Sequence, residues 1–82
     1  MAMLNEKQLV WRCRRGIREL DVLFGRFLKN DYAKLSDAER ANFQRLLEVQ
    51  DPVIMDWLMG RYDSEDKGLA DIVDKLKTLS GL

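Results

Sequence analysis

Ile17-Arg18-Glu19-Leu20-Asp21-Val22-Leu23-Phe24-Gly25-Arg26-Phe27-Leu28-Lys29-Asn30 is the stretch that decides the fold class. Its apolar positions Ile17, Leu20, Phe24, Phe27 and Leu28 recur at three- and four-residue spacing, the signature of one face of an α-helix. Two further series keep that spacing: Ala38, Phe43, Leu46 and Leu47, then Leu69, Ile72, Val73, Leu76 and Leu79. No segment alternates apolar and polar residues in the manner of a half-buried strand. The expectation is an all-α fold: a compact bundle of about five short helices in which residues 1–82 form a single domain.

Capping residues mark where these helices start and stop. Asn5 is placed to cap a first helix running to about Arg14, with Gly16 at the break, because glycine accepts the left-handed backbone that ends helices. The second helix then spans about Ile17 to Asn30, and residues 31–35 form a connector with room for one helical turn. Ser36-Asp37-Ala38-Glu39 reads as a capping box that opens a helix ending near Val49. Asp51-Pro52 puts a capping carboxylate before a proline at the first helical position, where a missing N–H is harmless. That helix reaches Met59 and stops at Gly60. Ser64 is the expected cap of a last helix that ends about Leu79, before Ser80-Gly81.

Size and composition narrow the function. A chain of 82 residues buries only about 60–65% of its unfolded surface, so a deep substrate cavity is hard to build. With 46% hydrophobic and 34% charged residues it is too apolar for disorder and too charged for a membrane span. The stretch from Met1 to Val10 lacks the long apolar run of a secretory signal. Cys13 is the one cysteine, which rules out an intramolecular disulfide and suits a reducing compartment, the cytoplasm. With no histidine, a Cys–His nucleophile, a Ser-His-Asp arrangement and the usual zinc sites are all excluded. The five glycines are scattered singly and form no phosphate-cradling loop. Asp63, Glu65 and Asp66 lack the ligand spacing of a calcium loop and read as a solvated turn. Glu48, Asp51 and Asp56 read as surface charges and a cap. No catalytic, cofactor-binding or metal-binding residues are expected.

Formal charge is zero overall but unevenly placed. Met1 to Asn30 holds seven Lys/Arg against three acids, and the remainder holds seven against eleven, so the two parts carry +4 and −4. A basic N-terminal third can meet an acidic patch on a partner and steer the encounter. Within it lies Trp11-Arg12-Cys13-Arg14-Arg15, which is either a cationic helix end with Trp11 in the core or a recognition patch of the residue types favoured at interface hot spots. Arg15-Gly16-Ile17-Arg18-Glu19 follows. Arg15 and Glu19 stand four apart and offer a fork donor and a carboxylate together, or else pair with each other across the turn. On the fourth helix, Ile54, Trp57 and Leu58 supply a core face, while Met55 and Met59 are either secondary packing or an exposed soft patch.

At these residues the sequence resembles the SdhE family of FAD assembly factors, bacterial relatives of the mitochondrial succinate dehydrogenase flavinylation factor. The family's Arg-Gly-x-x-Glu motif is matched by Arg15, Gly16 and Glu19 and continues as Leu20-Asp21. Phe27, Leu35-Ser36-Asp37 with Glu39, Phe43, Leu46-Leu47-Glu48, Asp51-Pro52 and Trp57-Leu58 follow in register, so the resemblance covers about Val10 to Gly60. It implies a five-helix bundle, not itself an enzyme, that promotes covalent FAD attachment to the flavoprotein subunit of succinate dehydrogenase, and of fumarate reductase where present. The nucleophilic histidine and the FAD then belong to the partner. The implied docking residues are Arg15, Gly16 and Glu19; Arg14 and Arg18, the latter where many relatives carry an apolar residue, extend the basic patch and are counted with the docking surface. A monomer that neither inserts in membranes nor binds nucleic acid is expected. An antitoxin-like module, a label some relatives have carried, and a nucleic-acid-binding helical module are the alternatives.

Overall fold

Two capping boxes set the first and third helices. In the computed structural model, which describes residues 5–80 with side chains through residue 78, Asn5 Oδ1 accepts the Gln8 N–H and Gln8 Oε1 accepts the Asn5 N–H. Helix α1 (Glu6–Arg12) follows. Ser36 and Glu39 exchange the same pair of bonds ahead of α3 (Asp37–Leu46). Between them lie α2 (Arg18–Asn30) and a 3₁₀ turn at Tyr32–Lys34; α4 (Asp51–Leu58) and α5 (Lys67–Ser80) complete the chain. Among the described residues there is no strand, and the all-α expectation holds.

The face read from α2 is the face that is buried. Leu20, Phe24 and Phe27 are inaccessible or nearly so, and Ile17 and Leu28 pack against the core from its margin. Phe43 of α3 lies at the centre of the aromatic packing. Phe24 meets it edge-on with centroids 5.8 Å apart, and Phe27 and Tyr32 lie 5.0 and 5.6 Å away. Leu35, Leu46, Leu47, Ile54, Leu58, Ile72, Val73 and Leu76 fill the remainder, with Leu9 from α1 and Cys13 just after it. Ala38, counted in the apolar series of α3, is exposed, and the side chain of Leu79 lies outside the described residues, as does Gly81. The result is a compact body of 32 × 26 × 21 Å.

Several boundaries differ from the sequence reading, each for a tertiary reason. Helix α1 stops at Arg12, before Arg14, and α3 stops at Leu46, before Val49; the Arg12 carbonyl at the first end and the Leu47 and Val49 carbonyls just past the second accept from the Arg15 side chain. Gly16 is not left-handed; among the described residues only Gly60, at φ +76°, is. Asp51 does not cap α4. The cap position falls to Gln50, without a side-chain bond, Asp51 is the first helical residue, and its carboxylate is engaged elsewhere. Ser64 does not cap α5 either: Asp66 Oδ1 accepts the Leu69 N–H, while Ser64 Oγ accepts the Asp66 N–H. Asp66 also pairs with Arg45, so the Leu69 amide first and then the guanidinium hold its carboxyl below the ordinary range.

Candidate functional site

Residues 13–17, between α1 and α2, are bound to four parts of the molecule through one side chain. Arg15 Nε donates to Asp51 Oδ1 at 2.7 Å, Nη1 donates to the carbonyls of Arg12 and Leu47 at 2.9 and 2.8 Å, and Nη2 donates to the Val49 carbonyl at 2.8 Å. Its guanidinium carbon lies 5.6 Å from the centroid of Phe24. The fork therefore satisfies orphan carbonyls at the ends of α1 and α3, where the helix dipole also favours a cation. Only 11% of the Arg15 side chain is exposed. This position is unlike the one read from sequence. Arg15 precedes the first turn of α2, so the helical four-residue spacing to Glu19 does not apply, and its carboxylate partner is Asp51.

The loop backbone is tied as well. The Arg15 N–H donates to Asp21 Oδ1 at 3.0 Å, and the Gly16 N–H donates to Asp51 Oδ2 at 3.2 Å. Asp51 thus holds a side chain with one oxygen and a peptide N–H with the other. Cys13 is 3% exposed beneath the loop. Burial pushes its thiol up to about 11, against the pull of the Arg15 charge. That agrees with a structural cysteine.

The other four residues singled out from sequence point outward. Arg14, Gly16, Arg18 and Glu19 are all exposed, and the side chains of Arg14, Arg18 and Glu19 make no ion pair among the described residues. Trp11, one turn before the loop, is 72% exposed, which rejects its placement in the core; Val10 beside it is half exposed. Arg12 reaches Glu48 across 3.7 Å of open surface. On α4 the two methionines divide: Met55 packs against the core and Met59 faces solvent.

Gly16 is the informative residue of the set. It has an ordinary backbone, and a Cβ built there would meet nothing nearer than Asp51 Oδ2 at 3.9 Å. Neither conformation nor packing requires a glycine at this position. Bare backbone at an exposed turn is what the residue supplies.

The starts of α1, α3 and α5 already carry their own side-chain caps, and the Asp51 carboxylate at the start of α4 is occupied by Arg15 and Gly16. Among the described residues every buried side-chain nitrogen and oxygen has a partner. A groove of about 820 Å³ between α1 and α2 is lined by the apolar Leu9, Cys13 and Leu28, the charged Glu6, Arg14, Asp21 and Lys29, and Tyr32, whose hydroxyl accepts from Gln44. No three metal-ligating side chains converge, and no helix is long and apolar enough to cross a membrane, again among the described residues.

Comparison with known proteins gives this surface its context. A family model described as "Flavinator of succinate dehydrogenase" matches residues 7–80, carrying the likeness through the tail beyond Gly60. A Serratia protein named FAD assembly factor SdhE is 42% identical over 74 residues, 90% of this chain and 84% of its own length. Proteins of the same name from Shewanella oneidensis and Vibrio vulnificus are 43% and 46% identical over 77 and 72 residues. The first alignment covers 94% of both chains, and the second covers 88% of this chain and 84% of the relative.

Proposed function

This chain belongs to the flavinator of succinate dehydrogenase family, and from that premise we propose that it is an FAD assembly factor that docks on the flavoprotein subunit through the loop ahead of α2. The outward residues Arg14, Gly16, Arg18 and Glu19 meet the partner, and Arg15 anchors the loop from within. The observation that carries this reading is Gly16, exposed and bare where the fold makes no demand for a glycine. A side chain there would stand between the loop and an approaching surface. The basic N-terminal third steers the encounter, and adjacent opposite charges at Arg18 and Glu19 set its register.

In this reading the chain is not an enzyme. It has no histidine, and its cysteine is buried with a raised thiol pKa. FAD and the histidine that becomes bonded to it belong to the flavoprotein, of succinate dehydrogenase or of fumarate reductase. The factor acts as a cytoplasmic monomer that holds the partner in the conformation in which attachment proceeds. Gly16→Arg tests it. The variant should keep its helical circular dichroism and its unfolding midpoint, yet lose capture of the purified flavoprotein subunit. In cells lacking the native protein, it should leave the subunit without covalent flavin fluorescence in a denaturing gel. Full flavinylation with Gly16→Arg would remove the loop as the docking site.

A further inference from the structure

We infer that Asp51 is the positioning residue of the docking loop, a part of the interface supplied by α4 although it does not touch the partner. The inference rests on the docking reading above. Gly16 has no side chain with which to fix itself, so its place is set by what its backbone meets, and that is Asp51 Oδ2. The other oxygen of the same carboxylate holds Arg15 Nε. One group thus fixes the anchor of the motif and its bare residue together, across 36 and 35 positions of sequence. With side-chain exposures of 11% and 17% the Arg15–Asp51 pair is largely withdrawn from solvent, so salt screens it little. Helix α4 does not employ this carboxylate as a cap, since Gln50 occupies that position. Apart from these bonds the loop backbone is tied by the Cys13 N–H to the Leu9 carbonyl, the Arg14 N–H to the Trp11 carbonyl, the Arg15 N–H to Asp21, and the Ile17 carbonyl, which accepts the Asp21 N–H; none of these reaches Gly16. Without Asp51 the Gly16 N–H loses its acceptor and the Arg15 guanidinium one of its four, so the geometry the partner reads loosens at Gly16, while Arg15 stays on its three carbonyls and Ile17 on the Asp21 N–H.

The test separates positioning from general stability. Asp51→Asn preserves shape but replaces one acceptor oxygen with an NH₂ that cannot accept from Gly16 or Arg15. Binding to the purified flavoprotein subunit is measured by calorimetry at a temperature well below every unfolding midpoint. Amide exchange is followed at Gly16. Asp51→Asn should bind about tenfold more weakly, with faster exchange at Gly16. Ile54→Val, which trims the buried core to give a comparable drop in midpoint, should bind like the wild type. Were Asn at 51 to prevent folding, Asp51→Glu, with its charge on a longer arm, should show the same loss. Binding of Asp51→Asn within about twofold of wild type, with Gly16→Arg still inactive, overturns the positioning role and leaves the docking reading standing. Equal losses for Ile54→Val and Asp51→Asn overturn it too, because the effect is then general destabilisation. If Gly16→Arg and Glu19→Ala both bind like the wild type, the docking reading falls and this inference falls with it.

Discussion

Asp51 beneath the loop ahead of α2 and Glu39 on the seam between α3 and α5 have the same bonding pattern in two different environments. Each carboxylate gives one oxygen to a side-chain cation and the other to a backbone N–H: Arg15 and Gly16 for Asp51, Lys75 and Ser36 for Glu39. The Arg15–Asp51 side chains are 11% and 17% exposed, whereas Lys75 and Glu39 are 42% and 38% exposed. Burial therefore makes the first arrangement a hub, because each group has lost water and depends on the others. The second is a surface tie that water and salt can replace. The glycines of the two regions are reversed. Gly16, beside the hub, can be substituted without steric conflict, while a Cβ on Gly68 at the seam would lie 2.6 Å from Asn42 Oδ1 and 2.9 Å from its Cγ. In the loop the fold depends on charge and makes no demand for the glycine. At the seam a side chain at the glycine would have to displace the end of the Asn42 side chain, and the charge is open to solvent.

The largest expected effect comes from breaking the hub. Arg15→Ala strands Asp51 with a single peptide N–H and leaves the carbonyls of Leu47 and Val49 without their donor. Removing one partner of a buried pair typically costs ~3–5 kcal/mol; allowing for the residual solvent access of Asp51, a loss of about 2–4 kcal/mol is expected. That is a large part of the total stability of a chain this size, which is on the order of 4–12 kcal/mol. Urea denaturation followed by circular dichroism measures it. The loss should persist in molar salt, and a change below about 1 kcal/mol would place the hub with ordinary surface pairs.

Next come the two glycines, compared as alanine variants. Gly68→Ala drives a methyl into the side chain of Asn42, whose Oδ1 accepts from Arg45 Nη1, so accommodation breaks that bond. A loss of about 1 kcal/mol is expected, and Asn42→Ala in the same chain should recover most of it. Gly16→Ala should change stability by no more than about 0.5 kcal/mol. A larger effect at Gly16 than at Gly68 would reverse the contrast between the regions and show that the fold, not a partner, requires the loop glycine.

What could be read from the sequence was local. The apolar period of α2, the cap at Asn5 and the capping box at Ser36 need information from within about four residues, and all three are present. Asp51 and Asp66 were misassigned because what decides their roles lies elsewhere. Arg15 is 36 residues from Asp51, and Arg45, which pairs with Asp66, is 21 residues from it. A carboxylate before a proline resembles a cap until its distant partner is known. Four-residue spacing points Arg15 in the wrong direction, because that rule holds only inside a helix and α2 begins at Arg18. Trp11 could not be oriented from a seven-residue helix with one buried side chain, Leu9.

The smallest expected effect belongs to the seam's charge, and Glu39→Gln isolates it. Glutamine can complete the capping box with Ser36 as glutamate does, so the substitution removes the charge opposite Lys75 and keeps the cap. The Lys75 hydrogen bond and then the Ser36 N–H lower the Glu39 carboxyl from 4.5 to about 2. A carboxyl whose folded value is depressed adds stability above its unfolded value and loses it as pH falls through the folded one. The wild type should therefore exceed Glu39→Gln in unfolding midpoint at pH 7, and the gap should close between about pH 4.5 and 2, where the wild-type side chain is itself protonated. Because the pair is exposed, the gap at pH 7 should also be smaller than that of Gly68→Ala and shrink in molar salt, unlike the loss from Arg15→Ala. Thermal melts across that pH range at two salt concentrations measure both dependences. A gap at pH 7 that resists salt would mean the seam pair is as withdrawn from water as the hub, and burial would then not be what separates the two carboxylates.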